Sequence, residues 1–223
     1  VTINEFRLDQ EGTDYDEYVE LAGTPGESLD DLSFIVIGDN VTAGGEVEEI
    51  TPLTGHAIQA DGLFLIAEDT FTLTGTVDLV TDINLENGDN VNYLIVSNLN
   101  PAINVGDGFG GSDLDVDDDR VIDPTGDYDG DGVDDGAPWT AVIDCVGIVD
   151  QSISGDLIYC TTTILQFFTP NVAGHGYVCG DTGAWAIGVF DILTGVDTPD
   201  AVNPDCATSV RRTTWGALKS LYQ

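Results

Sequence analysis

Asp127, Asp129 and Asp131 stand at alternate positions, Gly132 follows, and Asp135 lies beyond, giving the pattern Asp-x-Asp-x-Asp-Gly-x-x-Asp. Alternate carboxylates in a tight turn converge on one point, and the glycine permits the sharp bend. A hard cation such as calcium takes six to eight oxygens at ~2.3 to 2.6 Å, so the spacing predicts a Ca2+ loop with Val133 adding a backbone carbonyl. An EF-hand would place a bidentate Glu at loop position 12, where this chain has Pro138. The pattern therefore matches the shorter loops of extracellular calcium modules, whose affinities are on the order of 10⁻⁴ to 10⁻³ M.

A second run, Asp113, Asp115, Asp117, Asp119 and Asp123, has similar spacing, but Asp118 or Arg120, depending on register, occupies the place where the bend prefers Gly. Arg120 offers an alternative tether for a carboxylate, and the two runs together can share ions in one cluster. Eleven Asp fall within residues 113–135. Carboxylates this close repel one another or take up protons, so the two runs are expected to be structural staples and folding to depend on the cation. The competing reading is a solvated block of charge.

Other chemistry is sparse. The chain has two histidines, His56 in a Gly-rich turn and His175 in Gly174-His175-Gly176, four residues before Cys179. A His–Cys nucleophile pair is conceivable there, but a disulfide for Cys179 and a loop position for His175 fit an exported chain better. No Gly-x-Ser-x-Gly elbow, His-Glu-x-x-His zinc helix or phosphate-cradling loop with Lys is present. Carboxylate pairs are too abundant to mark a glycosidase dyad, so no enzyme is expected. Trp139, Trp185 and Trp215 could stack on sugars, yet Trp139 at a strand entry and Trp185 in an apolar strand read as core.

The elements that must position the aspartates are strands. Five Lys and Arg against 41 Asp and Glu give a net charge of −36, which excludes nucleic acid and anionic membrane as partners and favours small cations. With 42% apolar residues the chain nonetheless has material for a core, so the charge belongs on a folded body. Short alternating runs punctuated by Gly, Asn and Asp predict strands over residues 2–8, 17–21, 33–37, 63–67, 77–80, 91–97, 141–149, 157–161, 164–168 and 185–192. Turns are expected at 23–26, 44–45, 61–62, 87–88 and 180–183. No apolar run approaches the ~20 residues of a spanning helix. The fold class is all-β, a β-sandwich, with the Asp-rich insertion at about 107–136 as a long loop.

The N-terminal half resembles a known family. Ile3-Asn4-Glu5, then Glu17-Tyr18-Val19-Glu20-Leu21, then Leu29-Asp30 leading to Phe34-Ile35-Val36-Ile37, then Ala60-Asp61-Gly62-Leu63-Phe64-Leu65-Ile66 look like a bacterial lamin-tail domain. The resemblance extends through Asn87-Gly88-Asp89, the acidic segment and Asp144 to Asp150. It implies an immunoglobulin-like sandwich in an extracellular bacterial protein that serves in adhesion or attachment, with no catalytic motif. The cysteine-bearing remainder departs from the usual compact domain. One body is expected over 1–206, followed by a basic tail over 207–223.

Cys145, Cys160, Cys179 and Cys206 lack the CxxC spacing of a zinc site and allow three disulfide connectivities. Cys145 with Cys160 and Cys179 with Cys206 are preferred because each pair would clip a neighbouring loop or hairpin. A start at Val1 and the absence of Met read as a mature, secreted chain. Asn40-Val41-Thr42 fits an N-glycosylation sequon. Arg211, Arg212 and Lys219 make the tail basic, and Trp215, Leu218, Leu221 and Tyr222 fall near helical spacing, predicting a short amphipathic helix or tail. It would cover its own sandwich or dock on the acidic surface of the next copy, a contact that propagates into a filament. The expected function is structural, in the cell surface or extracellular matrix, with self-association into a homo-oligomer or filament. The rival is a calcium-dependent adhesin for a glycan or surface protein.

Overall fold

The computed structural model describes residues 1–8, 15–40, 43–83, 85, 90–105, 111–150, 157–166, 175–188 and 197–206. Among them lie strands and no helix: β1 Thr2–Arg7, β2 Tyr18–Ala22, β3 Leu32–Asn40, β4 Ala43–Pro52, β5 Leu63–Ala67, β6 Leu79–Val80, β7 Val91–Ser97, β8 Ala141–Asp150, β9 Thr163–Gln166, β10 His175–Val178 and β11 Trp185–Ile187. Sheet I runs β11-β10-β1-β2-β5-β6, and sheet II runs β4-β3-β7-β8-β9. Pairing is antiparallel except for β5 with β6 and β8 with β9. No helix of the described residues is long and apolar enough to cross a membrane.

Alternation along each strand decides what the two sheets share. Phe6, Val19, Leu21, Phe64 and Ile66 from sheet I meet Phe34, Val36, Tyr93, Ile95 and Val146 from sheet II in one buried apolar layer, which makes the fold a β-sandwich. In β1 a bulge between Ile3 and Glu5 shifts the register, so Ile3, Phe6 and Leu8 all face this layer while Glu5 and Arg7 point the other way. Phe6 and Tyr93 meet edge to face across it, with ring centroids 5.0 Å apart.

The opposite face of sheet II is apolar too. Ile35, Ile37, Val47, Leu94 and Val96 form a second cluster with Ile103, Leu114 and Tyr128, so the segment between β7 and β8 lies over the sheet as a cap. Among its described residues the insertion forms no strand or helix, as expected of a loop, and it packs an apolar underside on the sheet. Residues 157–161, expected as a strand, are held differently. Asn92, buried on β7, accepts from the Tyr159 and Cys160 amides at 2.9 and 3.3 Å and donates to the Leu157 carbonyl at 3.2 Å. One side-chain amide satisfies the backbone that a ladder would otherwise pair, and the strand begins only at Thr163.

The outer face of sheet I is polar yet buried. Glu5, Arg7, Glu20 and His175 lie beneath residues 197–203. Asp197 pairs with Arg7 at 2.9 Å, the Thr198 amide and hydroxyl both donate to Glu5 at 2.8 Å, and the Asp200 amide donates to Glu20 at 2.6 Å. Asn203 bridges the carbonyls of Asn4 and Val178. The disulfides are Cys145–Cys160 and Cys179–Cys206, and the second fastens the end of this strap to β10. The sequon and the tail over 207–223 fall outside the residues whose side chains are described.

Burial pushes the Glu20 carboxyl up to about 8, against the pull of its bonds from Asn4 and Asp200. An acid with a raised folded pKa binds its proton more tightly folded than unfolded. Its contribution to stability is full below the ordinary value of 4.5 and is lost as pH rises through about 8. The wild-type melting temperature should therefore fall between about pH 5 and pH 8.5, and Glu20→Gln should flatten that fall in scanning calorimetry. An identical slope in the variant contradicts the assignment.

Candidate metal centre

The two aspartate runs are one loop written twice, twelve positions apart. In the first, Asp115 Oδ1 and Oδ2 accept from the amides of Asp119 and Arg120, Asp119 Oδ1 from Val121, and Asp123 Oδ2 from Val116, at 2.9 to 3.1 Å. In the second, Asp127 Oδ1 and Oδ2 accept from Asp131 and Gly132, Asp131 Oδ1 from Val133, and Asp135 Oδ2 from Tyr128, at 2.8 to 3.0 Å. The closing backbone bonds correspond as well, Asp123 to the Leu114 carbonyl at 2.7 Å and Asp135 to that of Gly126 at 2.8 Å. Side-chain carboxylates thus fix both turns at equivalent positions.

This settles the register that the sequence left open. Arg120 stands where the second loop has Gly132, with φ of 75° and 87°, and Asp118 stands where it has Gly130, at 54° and 76°. A Cβ at Gly132 would meet nothing within 4 Å, so only the left-handed backbone calls for glycine there. Arg120 accepts the same conformation at a cost of about 1 kcal/mol.

Carboxylate oxygens of Asp115, Asp117 and Asp119 lie within 4.8 Å of one another, as do those of Asp127, Asp129 and Asp135, and each trio can hold a metal ion. Asp123 and Asp131 sit in the same loops and cap amides. Val133 follows at the seventh position, its side chain exposed. Asp113 precedes the first loop and does different work. It bridges to Glu46 on β4 and accepts from the Asp115 amide at 2.9 Å. Burial raises its pKa, with the charge of Asp118 adding to the shift. The Asp117 carboxyl is also raised, in its case chiefly by the neighbouring charge of Asp119. That is the repulsion a bound cation would remove.

Each loop is anchored to sheet II by a different side chain. Leu114 and Ile122 hold the first, and Tyr128, at the second position of its loop, holds the other. Burial and the carboxylates of Asp134, Asp123 and Asp135 push the Tyr128 hydroxyl up to about 12. Asn100 donates to the carbonyls of Asp135 and Ala137, and Asn104 and Ser112 both donate to that of Tyr128. Tyr159 donates to Asp115 Oδ2 at 2.9 Å, tying the first loop to the Cys145–Cys160 bridge. Burial, then the bond and charge of Asp115, raise its pKa. On the other side, the amide of Gly44 reaches Asp118 and the carbonyl of Gly45 accepts from Leu114. A Cβ at Gly45 would come within 2.8 Å of the Asp115 amide, so the glycine pair expected as a turn lies in β4 and permits close approach.

Sequence reasoning missed a third group. Glu5, His175 and Asp197 also present ligand atoms within 4.8 Å, at the outer face of sheet I. His175, expected in a loop, lies on β10, with Nε2 2.6 Å from Glu5 Oε1 and its ring stacked on Tyr177. Tyr18 donates to the same Glu5 oxygen. With the Arg7 guanidinium 2.9 Å from Asp197, a cation here would displace an internal ion pair, so this group reads as a buried tie for the strap. The period-2 placement of Glu5 and Arg7 on β1 was the available signal. Its partners lie about 170 residues away in sequence, beyond the reach of a pattern.

Two outcomes test the loops. Millimolar chelator should lower the melting temperature of the full chain, and added calcium should restore it. Gly132→Ala should destabilise by about 1 kcal/mol, whereas Arg120→Gly should stabilise by a similar amount, because each exchanges a side chain at positive φ. Equal effects of the two substitutions in denaturant titrations would contradict the register. Comparison with protein-family models, curated proteins and solved structures finds no match, so function must be argued from this geometry.

Proposed function

We propose that the chain is a secreted structural protein of the cell surface or extracellular matrix, built on an immunoglobulin-like sandwich of the lamin-tail kind and self-associating. Calcium held by the twin loops is its structural cofactor. The observation that carries this reading is the duplicated loop seated on an apolar sheet face, a device that converts cation binding into a rigid outer layer. Small cations suit a chain of net charge −36. Two disulfides suit an oxidising setting outside the cell.

The chemistry favours a scaffold over a catalyst. Asp115 and Asp127 each spend both carboxylate oxygens on loop amides, which organises a turn and orients the remaining oxygens toward an ion. Fixing the cap also fixes the surface it offers to another molecule. Calcium would then control assembly through order, since a cap that is not folded presents no defined contact.

Electron microscopy of the full chain at millimolar calcium should show filaments or extended oligomers, and the same preparation in chelator should show isolated particles. Isolated particles under both conditions, across a wide concentration range, would contradict self-association.

A further inference from the structure

The two aspartate loops repeat each other's turns, yet their leading carboxylates stand in different surroundings. Asp115 is wholly buried, whereas Asp127, at the corresponding position, is exposed. A buried carboxylate keeps its charge only where donors take the place of water. The amides of Asp119 and Arg120 supply donors to Asp115, as those of Asp131 and Gly132 do to Asp127. Asp115 has a further donor from outside its loop. The Tyr159 hydroxyl donates to Asp115 Oδ2 at 2.9 Å, the same oxygen that accepts from the Arg120 amide. Among the described residues, Asp127 takes its bonds from its own loop.

Tyr159 is not held by a strand ladder. Its amide and that of Cys160 donate to Asn92 Oδ1 at 2.9 and 3.3 Å, and Cys160 is bonded to Cys145 on β8. Cys145 lies opposite Leu94 of β7, inside sheet II, so the bridge ties the segment to the frame of the sheet and not to another loop. Tyr159 also packs against the apolar cluster beneath the cap. A continuous path of bonds thus runs from β8 through the disulfide and Tyr159 to one carboxylate of the Asp115, Asp117 and Asp119 trio. Partners that orient a metal-ligating group are worth about 10- to 100-fold in metal affinity when they are lost.

We propose that Tyr159, held by the Cys145–Cys160 disulfide, is a positioning residue for the cation site of the first loop, so that this loop fills normally only when the disulfide is closed. The second loop binds its ion independently of both. The inference rests on the twin-loop calcium reading and makes the two loops unequal. With the hydroxyl in place, Asp115 is oriented toward the oxygens of Asp117 and Asp119. Without it, the buried carboxylate lacks a donor and must find another by turning away from the trio.

Calcium titration of the isotope-labelled full chain by NMR tests this site by site. The amides of Asp119 and Arg120 report the first loop, and those of Asp131 and Gly132 report the second. Tyr159→Phe should raise the calcium needed to half-fill the first loop by about tenfold or more and leave the second unmoved. Cys145→Ala with Cys160→Ala should do the same. Adding Tyr159→Phe to that pair should shift the first loop little further, because the disulfide acts through the hydroxyl. A first loop that fills normally in Tyr159→Phe or in the cysteine pair overturns the proposal, and so does an equal shift of both loops, which marks a general loss of stability. A large further shift in the combined variant overturns the route through Tyr159. Tyr159→Phe removes a single oxygen, so it decides the central point even where the cysteine pair does not fold. If neither loop of the wild type responds to millimolar calcium, the calcium reading falls and this inference with it.

Discussion

Sheet II is apolar on both faces, and the molecule must cover the second one. The inner face is buried against sheet I. The outer face, with Ile35, Ile37, Leu94 and Val96, would otherwise meet water. The chain covers it with the most acidic segment it has, so the hydrophobic demand of the sheet and the electrostatic cost of the aspartates fall on the same residues. Leu114, Ile122, Tyr128 and Trp139 draw the segment down, while the carboxylates resist crowding. Turning those carboxylates into caps for loop amides resolves part of the conflict, and a divalent cation held by each trio of carboxylates would resolve the rest.

Sheet I handles the same problem with opposite means. Its outer face carries Glu5, Arg7, Glu20 and His175, all buried, and the strap over it supplies Asp197, Thr198 and the Asp200 amide as partners. Acidic segments or buried charged residues therefore lie outside both sheets, with one apolar layer between the sheets and a second beneath the cap. The face over sheet I closes on itself through ion pairs and a disulfide, and the face over sheet II calls for an ion from outside. This asymmetry makes the two outer faces of the sandwich chemically unlike.

The strands with clean alternation were legible in the sequence. β5 and β7 fall at their expected limits, because runs such as Val91–Ser97 alternate between two apolar faces and end at turn residues. β4 was not legible, since Gly44 and Gly45 signal a turn and Glu46, Glu48 and Glu49 weaken the pattern. Its glycines serve close approach of the cap instead. Residues 157–161 have strand composition, but Asn92 takes the place of a ladder partner, and nothing local announces that. In the second aspartate loop the sequence placed the turn, and Asp127, Asp129 and Asp135 do come together, whereas Asp131 accepts from the Val133 amide and lies outside that trio. The first was ambiguous because Arg120 and Asp118 occupy positions whose need for positive φ shows only in the backbone.

The central claim is that each aspartate loop holds one divalent ion as part of the folded chain. Native mass spectrometry of the full chain from calcium buffer measures this directly. The account predicts two calcium ions bound per folded chain, falling to one when Asp127 and Asp129 are both replaced by Asn. A folded chain that carries no ion in millimolar calcium, with its cap intact, would contradict it.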